Sequence, residues 1–355
     1  MIDPHVHLRD GVQASKETIL HGLTVASRCG FDWVFDMPNC NPPLTGTEAI
    51  QARLEMGRTA EEQVLAQTGR PIRYSVYAGL MADEQAIKTV VDAWRKWFPR
   101  VVGLKLFAGN STGNMGQVTE EAQRKVYRTL SRLGYTGVLA VHCEKESLLR
   151  PDLEDPSDFS SHSLARPIEA EIASVKDQIR FAKEEGFQGV LHVCHLSVAE
   201  CLPLIEQGRK DGLRITCGAT AHHLLLNADD AKDHRLYAKM NPPLRDEAHR
   251  ALLFQALCDG RIDWVESDHA PHTIQDKEKG ASGIPGFSGS LLLLDRLYRE
   301  GVPESRIRSL FGERVREVFG LPSMDITMVS PSDCRNRSDA VATAYPYDSF
   351  LKYRS

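Results

Sequence analysis

The chain has 355 residues, 42% of them hydrophobic and 26% charged, with a formal net charge of −5. One α/β barrel of roughly 250 residues with insertions absorbs that length, and the composition suits a packed core without low-complexity tracts, charge runs or internal repeats. The acidic balance and scattered Lys and Arg exclude a nucleic-acid surface, and apolar runs such as 189–193 and 291–294 are too short to cross a bilayer.

The start Met1-Ile2-Asp3-Pro4-His5 lacks the basic and apolar regions of a signal peptide, so a cytoplasmic location is expected. Cys29, Cys40, Cys143, Cys194, Cys201, Cys217, Cys258 and Cys334 form no CxxC pair and read as reduced core thiols rather than a disulfide framework.

In chain order, short β-branched or apolar runs alternate with segments of helical periodicity, as parallel strands joined by helices would. The first strand, 2–7, carries His5 and His7, which a period of two points to the same side. An isolated His-x-His pair is weak evidence for a metal and needs company. A helix at 15–28, a strand at 32–37, a helix at 47–67, a strand at 72–79 and a helix at 83–97 follow. The fourth strand, 101–107, is interrupted by Lys105, a charge that would be expensive inside a barrel without compensation. Lys105 either snorkels to the rim or, buried as a neutral amine, takes up CO2 to become an anionic, two-oxygen metal ligand.

Beyond a loop of Gly and small polar residues at 108–114 come a helix at 119–132, a strand at 137–142 ending on His142, and a helix at 169–184. The sixth strand, 189–195, ends on His195; alternation puts His192 and Cys194 on its opposite face, packed against helices. A helix at 197–207 and a strand at 214–219 follow. The eighth strand, 262–268, delivers Asp268, a candidate metal ligand and general base. A Gly/Pro-rich loop at 280–289 precedes helical segments at 290–298 and 303–319. The tail from 321 reads as loop over 330–339 and as an edge strand or strap over 340–347.

Eight β/α units point to a (β/α)8 TIM barrel; an open doubly wound sheet would show a Gly-rich turn after the first strand, and 5–10 is not one. Four imidazoles, one lysine and one carboxylate at strand ends would converge only at the C-terminal rim, where such barrels build active sites. Two divalent cations there would lower the pKa of a shared water and polarise an amide carbonyl. Nitrogen and oxygen ligands without thiolates suit Zn(II), with Mn(II) or Co(II) as substitutes.

Over nearly all of residues 1–320 the chain resembles the amidohydrolase superfamily and, within it, the dihydroorotases. The resemblance rests on Asp-Pro-His-Val-His-Leu-Arg-Asp at 3–10, Asp-Met-Pro-Asn at 36–39, Gly-Leu-Lys-Leu-Phe at 103–107, Val-His-Cys-Glu at 141–144, Val-Cys-His-Leu-Ser at 193–197, Asn-Pro-Pro-Leu-Arg at 241–245 and Ser-Asp-His-Ala-Pro-His at 267–272. It implies two Zn(II) per subunit. His5, His7 and Asp268 would bind the more buried ion, His142 and His195 the more exposed one, with carbamylated Lys105 and a hydroxide bridging them. Asp268 would also shuttle the proton in a reversible interconversion of L-dihydroorotate and N-carbamoyl-L-aspartate, a step of de novo pyrimidine biosynthesis.

The resemblance further implies that Arg9, Asn39 and His272 hold the substrate's α-carboxylate. It implies ring contacts from Asn241 and the segment near Gly286, and a closing loop at 108–114 with Thr112 as a contact. The larger members of the family carry a β-sandwich, of which at most a remnant is expected here, and Asp10-Gly11 stands where many have Glu-Pro-Gly. The expected organisation is a barrel over 1–320 and a tail over 321–355 packed on it. A homodimer and association with aspartate transcarbamoylase are the partners to test. The competing functions are a hydantoinase, dihydropyrimidinase or allantoinase, against which the carboxylate trio argues, and a non-catalytic dihydroorotase-like subunit, against which the complete ligand set argues.

Overall fold

Eight parallel strands follow one another around a single sheet in sequence order: β1 (Ile2–Val6), β2 (Trp33–Asp36), β3 (Arg73–Gly79), β4 (Val101–Ala108), β5 (Val138–Cys143), β6 (Val190–Val193), β7 (Ile215–Thr220) and β8 (Trp264–Glu266). In this computed structural model residues 1–355 are described except 112, 156, 157, 159 and 355, together with the side chains at 234 and 235. A parallel bridge between Val6 and His269, with the His7 amide donating to the His269 carbonyl at 2.7 Å, brings the end of the sheet back to its beginning. The architecture is the expected (β/α)8 barrel, and among the described residues every strand belongs to this sheet. No helix in those residues is long and apolar enough to cross a membrane.

Each strand is followed by a covering helix: Ile19–Cys29, Thr47–Thr68, Glu84–Trp97, Glu120–Arg132, Ile168–Glu184, Leu202–Lys210, Glu247–Cys258 and Phe287–Arg299. Local chemistry sets their starts. Thr18, Asp83, Thr119 and Asp246 each accept a backbone N–H three residues on, so the first helix begins at Ile19 rather than at 15. The helix expected from 197 starts only at Leu202, after a turn at Ala199–Cys201, because Glu171 captures both the Ser197 amide and its hydroxyl.

Inside the barrel, Ile2, Trp33, Phe35, Tyr77, Val102, Val138, Val190 and Trp264 pack together at the N-terminal end of the strands, closed from below by Val315 and Phe319. The Phe319 ring meets Phe35 edge-on at 5.2 Å. This plug leaves the opposite rim for polar groups.

The tail departs from expectation. Residues expected as loop form the helix Pro331–Ala342, whose buried face is Cys334, Ser338 and Val341. That i, i+4, i+7 spacing is masked in sequence by the polar residues around it. Ser338 donates to the Ser288 carbonyl at 2.9 Å and Arg335 pairs with Asp295 at 3.0 Å, fastening the tail helix to Phe287–Arg299. Beyond it the described residues form no strand; the chain lays Tyr345 against Glu17, at 2.8 Å, and stacks Tyr347 on Tyr237.

Candidate metal centre

Two buried clusters of ligand-type atoms stand at the C-terminal rim. His5 and His7, at the end of β1, bring their Nε2 atoms to 3.4 and 3.0 Å from Asp268 Oδ1, and the ligand atoms of the three residues lie within 4.8 Å of one another. At the ends of β5 and β6, His142 Nδ1 and His195 Nε2 are 3.2 Å apart. The His195 ring is 5.2 Å from that of His5, so the clusters adjoin.

The remaining ring nitrogens support this orientation. His7 Nδ1 is 2.8 Å from Asn39 Oδ1 and His142 Nε2 is 2.9 Å from Glu144 Oε2, while His5 Nδ1 stands 3.4 Å from Glu266 Oε1 without a hydrogen bond among the described residues. An imidazole that donates one N–H to an acceptor behind it turns the other nitrogen's lone pair forward, as metal-ligating histidines do. Burial, with the charges of Arg9 and His5, pulls His7 down to about 4 against the opposing pull of Asp268. Burial and His142 drive His195 well below its usual range, so both rings are neutral at pH 7. Burial works against the Asp268 carboxylate, yet the His7 hydrogen bond and the surrounding imidazoles hold it well below the usual carboxylate range.

Backbone strain falls in the same place. Among the described residues only Asp10, His195 and Asp268 take positive φ without being glycine, at 72°, 35° and 46°. Two of the three are candidate ligands, and such conformations persist where the surroundings over-determine them.

That strain also corrects the reading of β6. Val190 and Cys194 belong to the barrel interior, while Leu191 and Val193 face the helices. His192 therefore points inward: its Nε2 is 3.0 Å from Glu266, its Nδ1 is 3.1 Å from Thr216, and its ring stacks on Trp264 at 4.3 Å. Cys194 also faces inward, accepting from Lys105 Nζ at 3.2 Å. Strict alternation ends at Val193, and the positive φ of His195 turns its side chain back to the rim, so counting back from His195 assigned the wrong face.

Lys105 is fully buried on β4; besides Cys194, its Nζ stands 5.1 Å from the centre of the Phe107 ring. Among the described residues it has no carboxylate partner; the acceptor facing it is the Cys194 sulfur, whose thiol, against the opposing effect of burial, is pulled down to about 5 by the Lys105 charge. The donor set thus fits divalent cations: four imidazoles, one ionised carboxylate and a buried amine at one rim, with His195 Nδ1 lacking a partner among the described residues.

These groups line a narrow cleft together with Arg9, Asn39, Asn241, Ser282 and Gly283. Arg9 is buried, its Nη2 lies 3.4 Å from His272 Nε2, and its Nε has no partner among the described residues. Burial depresses its pKa, and no carboxylate among the described residues pairs with it. His272 is not among the described residues that line the cleft; it touches Arg9 and stands 3.0 Å from the Ser282 carbonyl. Asn39 gives its Oδ1 to His7, so any contact it makes to a substrate carboxylate would come from its amide nitrogen. Gly286 packs behind the metal-side turn, where a Cβ would meet the Ser267 carbonyl at 2.4 Å, and Ser282 and Gly283 line the cleft instead. The lid contact expected at Thr112 lies outside the described residues.

Sequence reasoning missed Glu144 and Glu266, each two residues from a candidate ligand on the same strand end and thus on its face. That parity was a usable signal. Glu144 is also gripped by Arg166, Nη2 to Oε2 at 2.6 Å. Glu144→Gln should keep the fold and weaken metal affinity by about 10- to 100-fold, the usual effect of losing a carboxylate behind a ligating histidine. A competitive chelator titration measures this, and unchanged affinity would sever Glu144 from the centre.

No protein-family model matches the chain. Among curated proteins, it is 33% identical to a dihydroorotase of Brevibacillus brevis over 94% of this chain and 76% of that one. It is 32% identical to a dihydroorotase of Halobacterium salinarum, over 94% and 77%. Among solved structures, the L-hydantoinase of Arthrobacter aurescens superposes with a TM-score of 0.76 at 22% identity, covering 90% of this chain and 70% of that one. A dihydroorotase of Campylobacter jejuni gives 0.66 at 20% identity, over 91% and 84%. At those identities the structural likeness speaks for the fold alone.

Proposed function

Since the chain belongs to the dihydroorotase family, we propose that it interconverts L-dihydroorotate and N-carbamoyl-L-aspartate at the rim cleft, with two Zn(II) ions held by His5, His7, Asp268, His142, His195 and a carbamylated Lys105. The observation that carries the substrate assignment is Arg9, a buried guanidinium that among the described residues has no carboxylate partner and an unsatisfied Nε, placed beside the ligand set. A guanidinium so placed suits bidentate capture of the carboxylate that distinguishes dihydroorotate from hydantoin or dihydrouracil.

When bound, the metal ions would supply an activated water and polarise the scissile carbonyl. Lys105 contributes by adding CO2 at Nζ with loss of a proton, which converts a buried amine into an anionic ligand. Arg9, with His272 against it and Asn39 beside it, holds the substrate carboxylate and so fixes the ring. Asn241, Ser282 and Gly283 face the ring edge. Asp268 takes the proton from water as the new C–O bond forms, then delivers it to the ring nitrogen as the C–N bond breaks. Cyclisation runs the same steps backwards.

The test is turnover of L-dihydroorotate against hydantoin, dihydrouracil and allantoin by metal-loaded protein supplied with bicarbonate. Dihydroorotate is expected to react while the uncharged rings stay near background. Preference for an uncharged ring would replace this reading with a hydantoinase, and no reaction despite bound metal would favour a non-catalytic subunit.

A further inference from the structure

Lys277 is the other fully buried lysine of the molecule among the described residues, and nothing in the reaction above uses it. It sits in the short helix Ile274–Glu278 that follows the Asp268 turn. No carboxylate among the described residues pairs with it. Its Nζ instead donates to three backbone carbonyls: Lys239 at 3.0 Å, Ala281 at 2.9 Å and Gly283 at 2.8 Å. An ammonium has three N–H donors, and all three are satisfied.

The three carbonyls belong to the two segments that form the ring side of the cleft. Lys239 lies two residues before Asn241, and Ala281 and Gly283 flank Ser282; Asn241, Ser282 and Gly283 line the cleft. The Gly283 amide donates to the Lys239 carbonyl at 2.9 Å, and the Ala270 amide donates to the Ile284 carbonyl at 2.8 Å, so this wall is tied directly to the loop after Asp268. There is little slack in it: Gly283 has a φ of +132°, and a Cβ there would meet the Ala270 carbonyl at 2.6 Å and His272 Nε2 at 3.0 Å. Three carbonyl oxygens turned toward one point repel one another unless N–H donors sit between them, and these three bonds hold the group in place although burial and the Lys239 charge pull Lys277 down to about 7.

We propose that Lys277 is a positioning residue for substrate binding, its ammonium drawing the 239–241 and 281–283 segments together so that the ring side of the cleft matches the substrate. The proposal rests on the reading of this cleft as the active site. Lys277 touches neither substrate nor the metal ligands; it acts through Asn241, Ser282 and Gly283.

Lys277→Met should keep its metal content and stay folded with a modestly lowered unfolding midpoint, raise KM for dihydroorotate by about tenfold to a hundredfold, as slight misplacement of binding groups does, and change kcat far less. Hydrogen exchange at the Gly283 and Ala270 amides should quicken while the barrel strands stay protected. In Lys277→Ala, n-propylammonium, which replaces the missing atoms, should lower KM again, whereas tetramethylammonium, which has no N–H, should not. An unchanged KM, or unchanged exchange at Gly283, overturns the proposal. So does a joint fall of kcat, metal content and stability that propylammonium fails to reverse, since that would mark a purely structural lysine. If the wild-type protein turns over a different cyclic amide, the same KM comparison is made with that amide, and the exchange measurement stands whatever the substrate.

Discussion

Lys105→Ala is expected to give a folded protein that is deficient in metal and without measurable turnover of dihydroorotate. Lys105 is fully buried, and its nearest polar neighbour is the Cys194 thiol rather than an acid. Removing the side chain deletes the amine proposed above as the anionic link between the His5–His7–Asp268 cluster and the His142–His195 pair. Loss of metal assistance amounts to several kcal/mol of transition-state stabilisation, on the order of a thousandfold or more in rate at about 1.4 kcal/mol per decade. Elemental analysis of the purified variant and turnover with added bicarbonate measure the two effects together. Wild-type metal content with substantial activity would remove Lys105 from the centre and leave it a buried packing residue.

Arg9→Met is expected to act on a different quantity. Truncating one partner of a buried charge pair costs about 2–5 kcal/mol, so kcat/KM for dihydroorotate should fall roughly 30- to 5,000-fold. The loss should appear mainly in KM, with metal content intact. Arg9→Lys should recover only part of it, because an ammonium offers a point charge where a guanidinium offers a planar fork. The carboxylate assignment would not survive a loss of less than about threefold. It would not survive an equal loss on dihydrouracil either, since that substrate has no carboxylate to hold.

The barrel was legible because its signal is local. Alternation of apolar runs and amphipathic segments needs only a window of residues, and the eight strands lie within a few residues of their expected places. The rim residues His5, His7, Lys105, His142 and Asp268 share the same legibility: each is a polar or charged residue within or at the end of an apolar run, where burial makes it costly unless it has a task. The tail helix Pro331–Ala342 was not legible, because its buried face is a cysteine, a serine and a valine whose burial depends on the helix Phe287–Arg299 lying above them.

By itself, then, the sequence determined the parallel β/α order, the inventory of ligand-type residues at the strand ends and the motif that places a guanidinium two residues after the His-x-His pair, all properties of short range. Only the tertiary structure decided which of these meet and what stands behind them. It turned His195 to the rim through a positive φ and put His192 and Cys194 inside the barrel. It set Glu266, Asn39 and Glu144 behind three of the imidazoles, left Arg9 without a carboxylate partner among the described residues, and drew three carbonyls from distant segments around Lys277. Such facts depend on which remote backbone arrives at a given point, and on whether a buried charge finds a partner there, neither of which any local periodicity encodes.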